Sequence, residues 1–254
     1  MTLIVVLLLA FLSACSHPKQ ARVSVPPPPP PASTNEEPAV TGANIPPTPG
    51  TAAPKAREDS ELAEPSLPAD SRPIVTETGL ASWYGPPYHN RRGSNGEIYN
   101  MHAMTAAHRT FPLGSIVRVT NMKTGATALV RITDRGPFIP GRILDLSLAA
   151  ARKVGVWQPG VAEVKVELME TPAPVNAGGK WAVQIGAFTD GAAADKLADH
   201  LTRRYRSANV LRFRSPAGDW WIRVRVPDDE RDRAQKLAAE TITPEGAVFL
   251  VRLD

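Results

Sequence analysis

From Thr78 onward the chain alternates apolar and polar positions in short runs, each cut by Gly or Pro. Thr78-Gly-Leu-Ala-Ser-Trp-Tyr84 reads as a strand stopped by Gly85-Pro-Pro87. Ser115–Asn121 and Ala126–Thr133 both alternate around the turn Lys123-Thr-Gly125, which is a hairpin signature. Leu148–Val154 predicts a short helix, with Ser147 as N-cap and Gly155 ending it. Val161–Met169 alternates again. Short strands with one small helix predict a compact barrel. A different rhythm starts at Lys180. Lys180–Phe188 alternates, placing Trp181, Val183, Ile185 and Ala187 on one face. Asp190–Tyr205 is helical, with Ala193, Leu197, Leu201 and Tyr205 four apart. Asn209–Arg214 and Trp220–Val226 predict a hairpin, Asp228–Thr241 a helix and Ala247–Arg252 a last strand. The order βαββαβ is a ferredoxin-like split unit.

Composition sets off the segment before these domains. Of the 26 prolines, 15 fall between Ser16 and Pro73, including Pro26–Pro31. That segment has almost no aromatic or periodic apolar content and reads as a disordered, partly polyproline linker. Before it, the apolar run Leu3–Leu12 is too short to span a bilayer and suits the core of a secretory signal, although no Lys or Arg precedes it. The run leads to Leu12-Ser13-Ala14-Cys15, which holds the chain's one cysteine. The expected organisation is a signal at 1–14, Cys15 and linker at 15–77, a barrel at 78–171, a short connection at 172–178 and a second domain at 179–254.

Charge divides unevenly. Residues 79–178 carry 11 Lys+Arg against 6 Asp+Glu, net +5; residues 1–78 are net −3 and 179–254 net +2. A cationic middle domain suits an anionic polymer, with a solvated basic face as the plain alternative. Three of the six acids, Glu97, Asp134 and Asp145, stand apart from the late run Val161–Glu170. Asp134 and Asp145 are eleven residues apart, each ending an apolar β-type run. The five histidines have no zinc spacing and there is no second cysteine, so neither a metal nor a cofactor is expected.

Several motifs in order carry a resemblance: Gly79-Leu-Ala-Ser-Trp-Tyr-Gly85, Asn95-Gly-Glu-Ile-Tyr99, Met104–Gly114, Val119-Thr-Asn121, Arg131-Ile-Thr-Asp-Arg-Gly-Pro-Phe138 and Ile143-Leu-Asp-Leu-Ser147. Together they resemble the rare lipoprotein A family of septal-ring lytic-transglycosylase-like proteins. The resemblance implies a six-stranded double-psi β-barrel, shared with expansins and the transglycosylase MltA. It also implies that Glu97, His108 and Asp134 are essential, and it likens Asp134 and Asp145 to the two aspartates of MltA, of which the second is the catalytic acid. Trp83, Tyr84 and Arg135 join them as expected substrate contacts. Asn90–Gly96, Asn100 and Thr133 depart from the usual family residues. Leu12–Cys15 resembles a lipobox, which implies that Cys15 is lipidated. With Ser16 following it, this implies outer-membrane anchoring toward the periplasm. Trp181-Ala-Val-Gln-Ile-Gly-Ala-Phe188, supported by Trp221-Ile-Arg-Val-Arg225, resembles a SPOR domain, which implies binding to septal glycan stripped of its peptides. Gln184 and Phe188, with Gly186 and Arg223, are expected on its glycan-binding sheet face. An RNA-binding sheet with this element order is the rival, and the secretion signal argues against nucleic acid.

The expected activity is endolytic, non-hydrolytic cleavage of peptide-free glycan between MurNAc and GlcNAc, leaving 1,6-anhydroMurNAc. A protonated acid must reach the leaving oxygen. Asp145 is assigned as that acid and Asp134 as its partner, with Glu97 the rival. Two close carboxylates raise one pKa, whereas Arg131, Arg135 and Arg142 oppose this, so burial must outweigh the arginines. Each residue also has a structural reading: Asp134 capping a turn, Asp145 favouring the helix terminus, Glu97 in a solvated turn, His108 bonded to the barrel backbone, Phe188 and Trp220 in a core. A non-catalytic, expansin-like glycan organiser and a hydrolase are the functional rivals. Amidases or division proteins are the expected partners. The last domain is expected to address the septum and the barrel to cut unaided.

Overall fold

The computed structural model describes residues 62–243 and 246–254. The signal, Cys15 and most of the proline-rich segment lie outside these residues.

Six strands close a barrel in the order β1-β5-β2-β4-β3-β6: β1 Val75–Trp83, β2 Thr105–His108, β3 Ile116–Asn121, β4 Thr127–Asp134, β5 Arg142–Leu146 and β6 Val161–Glu170. β1–β5 and β2–β4 run parallel and the remaining pairs antiparallel. The alternation determines the inside: Val117, Val119, Ala128, Val130, Ile132, Leu144, Leu146, Val164, Val166 and Leu168 fill one continuous core. Helix α1, Leu148–Val154, packs on it. Ser147 Oγ accepts from Ala150 N at 3.1 Å, and Gly155 leaves the helix in the left-handed region, φ 74°. Asn121 ties the β3–β4 turn to this helix: its Oδ1 accepts from Lys123 N and Thr124 N, and its Nδ2 donates to Val154 O.

The ordered barrel starts earlier than expected. Val75–Glu77 already pair with β6, because the polar-apolar alternation of β1 begins there, and Glu64 Oε1 accepts from Leu129 N at 2.6 Å. Strand β2 has no alternation to betray it, since all four of its residues are buried.

The second domain is an antiparallel sheet in the order β10-β7-β9-β8: β7 Trp181–Phe188, β8 Asn209–Arg214, β9 Trp220–Arg225, β10 Ala247–Arg252. Helices α2, Gly191–Arg204, and α3, Arg231–Glu240, pack on one face. Helix α3 starts after a short 3₁₀ turn at Pro227–Asp229, three residues later than its apolar period predicts. Trp181, Val183, Ile185, Ile222 and Val224 form the helix-side core. Between Ile185 and Phe188 the register with β9 slips: Ile185 pairs with Ile222 and Phe188 with Trp220, leaving two residues opposite one. A one-residue slip turns every later side chain over. Phe188 therefore enters the helix-side core and Ala187 is exposed, the reverse of the expected faces.

Candidate active site

Two bulges build the carboxylate row. In β4, Ile132 pairs with Ala106 and Asp134 with Ala107, so Thr133 is an extra residue. Without it, Asp134 would follow Ala128, Val130 and Ile132 into the core. In β5, a similar slip against β1 leaves Leu144 paired with Ala81 and Asp145 with Ser82. Asp145 also pairs with Ala107 across β2. The result is a row of in-register residues across four strands, Ser82, Asp145, Ala107, Asp134, all on the side away from the core. Two strand spacings put the aspartate Cα atoms roughly 10 Å apart. Ala107 between them is buried, and Gly136 lies over it: a Cβ there would stand 3.7 Å from Ala107 Cβ and 3.8 Å from Asp145 Oδ2.

Asp145 is bound by Ser82, whose Oγ donates to Oδ1, and by Arg142, whose Nε lies 3.8 Å from Oδ1. Arg142 Nη1 also donates to Ser82 Oγ at 2.6 Å. Burial raises the Asp145 pKa above its ordinary value against Arg142, Ser82 and Arg109, and Asp134 adds to the rise. Of the three arginines expected to oppose the rise, Arg142 does so, joined by Arg109 in place of Arg131 and Arg135, and desolvation is the larger effect. Asp134 Oδ1 receives three donors, Ser94 Oγ at 2.5 Å, Arg135 N at 2.8 Å and Ser94 N at 3.0 Å. The turn-capping geometry expected of an aspartate before Arg-Gly-Pro is therefore present, and it holds the carboxylate in place within the row.

Glu97 lines a small pocket with Asp134, Thr133, Asn95 and Tyr99. Asn95 brackets it, donating from Nδ2 to Oε2 at 2.6 Å and accepting from Glu97 N. Asp145 does not line that pocket. Tyr84 stacks on Tyr99 with centroids 4.3 Å apart, and Tyr99 Oη donates to Tyr84 O. Burial first, then the charges of Asp134, Tyr99 and Asp145, push the Tyr84 pKa well up. Thr133 lies near its hydroxyl without completing a well-formed hydrogen bond, and that hydroxyl is left without a partner among the described residues. The phenol is thus buried in the field of both aspartates.

Other predicted residues lie elsewhere. Trp83 follows Ser82 on the strand, turns inward against the core and lies over Gly85. His108 is buried: Nδ1 accepts from Phe111 N and Thr110 N, and Nε2 lies 3.3 Å from Glu77 Oε2. Burial lowers its pKa, against Glu77. This matches the backbone-bonding alternative, and both ring nitrogens are engaged away from the row. Arg135 is corrected from substrate contact to frame. It is 7% exposed, and its guanidinium donates to Phe111 O, His108 O and Asp254 O. Burial lowers its pKa to about 10. In the second domain, Gln184 is buried and accepts from Arg223 Nη2 at 2.7 Å and Nε at 3.2 Å, on the face opposite the helices. Phe188 is absent from that face. Trp221, Phe213 and Phe249 supply its aromatics instead.

Sequence reasoning missed Ser82, Ser94, Tyr99 and Arg109 as parts of the site. Ser82 carried a signal, being a polar residue between inward Ala81 and Trp83. Ser94 and Tyr99 sit in a loop without periodicity.

A barrel with paired carboxylates outside its core, followed by a split βαββαβ sheet, defines the class. Residues 76–166 match the family model described as lytic transglycolase, and residues 177–246 match the SPOR domain. The chain thus carries a double-psi barrel of the lytic-transglycolase type followed by a SPOR domain. Its curated relatives include the protein named endolytic peptidoglycan transglycosylase RlpA from Vibrio cholerae, 54% identical over 40% of this chain and 38% of its own. The protein of that name from Helicobacter pylori strain J99 is 38% identical over 52% and 51%, and the one from Pseudomonas aeruginosa strain UCBPP-PA14 is 45% identical over 48% and 36%. The chain therefore spans between about a third and a half of the length of these relatives. Among solved structures, apo expansin from Clavibacter michiganensis is 18% identical over 61% of this chain and 81% of its own, with a TM-score of 0.31.

Proposed function

We propose that this chain is an endolytic peptidoglycan lytic transglycosylase that cuts peptide-free glycan strands at the division septum. The observation that supports it most is Asp145. Its carboxyl is held toward the protonated form by burial and stands in register with Asp134 across a single alanine. Asp145 donates its proton to the glycosidic oxygen between MurNAc and GlcNAc. As a carboxylate it then takes the proton of the C6 hydroxyl of MurNAc, which closes on C1 and leaves a 1,6-anhydro end. The proton returns to the enzyme, so no water and no second nucleophile are consumed. Asp134, fixed by Ser94, offsets charge developing at C1. Glu97, at the far side of Asp134, binds the strand through its hydroxyls.

The SPOR domain addresses the same peptide-free strands; Gln184, buried under Arg223 on the face that Phe138 packs against, is withdrawn as a glycan contact. Cys15, lipidated, anchors the chain in the outer membrane toward the periplasm. The test incubates the purified chain with amidase-treated peptidoglycan and reads the ends by mass spectrometry. Anhydro-muramyl ends lost in Asp145→Asn and Asp134→Asn, with glycan binding retained, are expected. Reducing ends replace the reading with a hydrolase. Binding without any product replaces it with an expansin-like organiser.

A further inference from the structure

The loop after Asp134 does not end in solvent. Phe138 packs on the face of the SPOR sheet opposite its helices, its ring centroid 5.4 Å from Trp221 and 5.7 Å from Phe249. Arg135, next to Asp134, donates to Asp254 O at 2.6 Å, and Leu113 N donates to the same oxygen. Arg109 joins both sides. Its Nη1 donates to Pro137 O and Arg142 O, its guanidinium lies 5.6 Å from the Phe249 centroid, and its carbonyl accepts from Arg252 N. Arg223, on the same sheet face, is near enough to the row to feel the charge of Asp134.

We propose that the SPOR domain braces the carboxylate row as well as serving as an address: its sheet grips the 134–138 loop through Phe138 and Arg135 and so fixes where Asp134 sits. Phe138 and Arg135 are then positioning residues for the reaction. The proposal rests on the lytic reading for its consequence in turnover, though not for the docking itself. Asp134 and Arg135 share one peptide unit, and Arg135 N is also a donor to Asp134 Oδ1. Any shift of the Arg135 strut therefore moves both the carboxylate and one of its three donors. A barrel deprived of residues 179–254 loses this brace along with its septal address, contrary to the simple division of labour.

The test uses the whole chain carrying Phe138→Ala, and separately Phe249→Leu, which removes the contact from the other side. Phe138 lies outside both main cores, so its truncation leaves each domain's own packing intact. Two readouts are taken. One is kcat and KM on a short, soluble, peptide-free glycan fragment that needs no targeting. The other is amide hydrogen exchange in peptides covering residues 132–142. Expected are faster exchange in both variants and a fall in kcat on the order of 10- to 100-fold with KM little changed, since an ångström of misplacement costs about this much. Phe138→Tyr should restore both. Unchanged exchange in both variants overturns the proposal, and so does faster exchange with wild-type kcat. If the wild type makes no product, the enzymatic reading falls on its own. The exchange readout then decides: faster exchange supports the docking brace, and unchanged exchange overturns it.

Discussion

Replacing Asp145 with Asn should make the protein more stable at neutral pH while removing its activity. The side chain is 17% exposed and its pKa is raised above 3.8, with burial the largest cause. The folded chain therefore binds this proton more tightly than the unfolded chain. Between 3.8 and the higher folded value it carries the extra proton, so stability falls as pH rises through that window and stays lower above it. Opposing forces of several kcal/mol meet here. Arg142 at 3.8 Å attracts the carboxylate by about 4 kcal/mol at an effective dielectric of 20, and Ser82 adds a charge-assisted hydrogen bond of about 1.5–3 kcal/mol. Desolvation outweighs both. Each pH unit of the net rise corresponds to about 1.4 kcal/mol held against the fold at neutral pH. Asn reproduces the shape of the neutral acid, and its Oδ1 still accepts from Ser82. A gain of about 0.5–2 kcal/mol is expected at pH 7, within the usual range for relieving a functional site. In a chain of this size that raises Tm by about 2–4 °C per kcal/mol. Urea unfolding of both proteins at pH 7 and at pH 3 checks it. The gain should vanish at pH 3, where both states of the wild type are protonated. A variant less stable at pH 7, or a gain that persists at pH 3, refutes the burial argument.

Three further outcomes follow from the same geometry. Ser82→Ala removes a donor to the Asp145 carboxylate and an acceptor for Arg142; the Asp145-dependent limb of the pH–rate profile should move to higher pH, and an unmoved limb would detach Ser82 from the acid. His108 has a folded pKa depressed below 6.5 by burial, so it adds stability that is present above 6.5 and is lost as pH falls through that value toward the folded one. His108→Gln should cost about 1–3 kcal/mol at pH 8, through the amides of Thr110 and Phe111, and flatten the wild-type slope below pH 6.5 in denaturant titrations. Gly186→Ala places a methyl 2.5 Å from the Trp221 ring, so the SPOR domain should lose about 1–3 kcal/mol by overpacking, measured as a lower urea midpoint of its Trp fluorescence transition.

Much of the fold was legible along the chain because burial on one side of a sheet forces a two-residue period. Val117/Val119 and Ala128/Val130/Ile132 announce their strands and their hairpin, and Ser147 and Gly155 announce both ends of a helix. Strand β2 was hidden because all four of its residues are buried, which erases the alternation. The acids were legible as a scarce residue type in turns, and the motifs around them as a family resemblance. Their distance from one another was not.

The sequence by itself determined the strands whose residues alternate, the helix ends at Ser147 and Gly155, and which acids, Glu97, Asp134 and Asp145, are available for chemistry. Only the tertiary structure decided where those faces change over. A bulge at Thr133 turns Asp134 out of the core and into register with Asp145, and a slip after Ile185 turns Phe188 the other way, from the sheet face opposite the helices into the helix-side core. Closure of β5-β2-β4 sets the aspartates on either side of Ala107, and docking of the SPOR sheet clamps Phe138. The reason is physical: alternation fixes side-chain direction within a strand, whereas register is a property of two strands and is set by how each meets its neighbour.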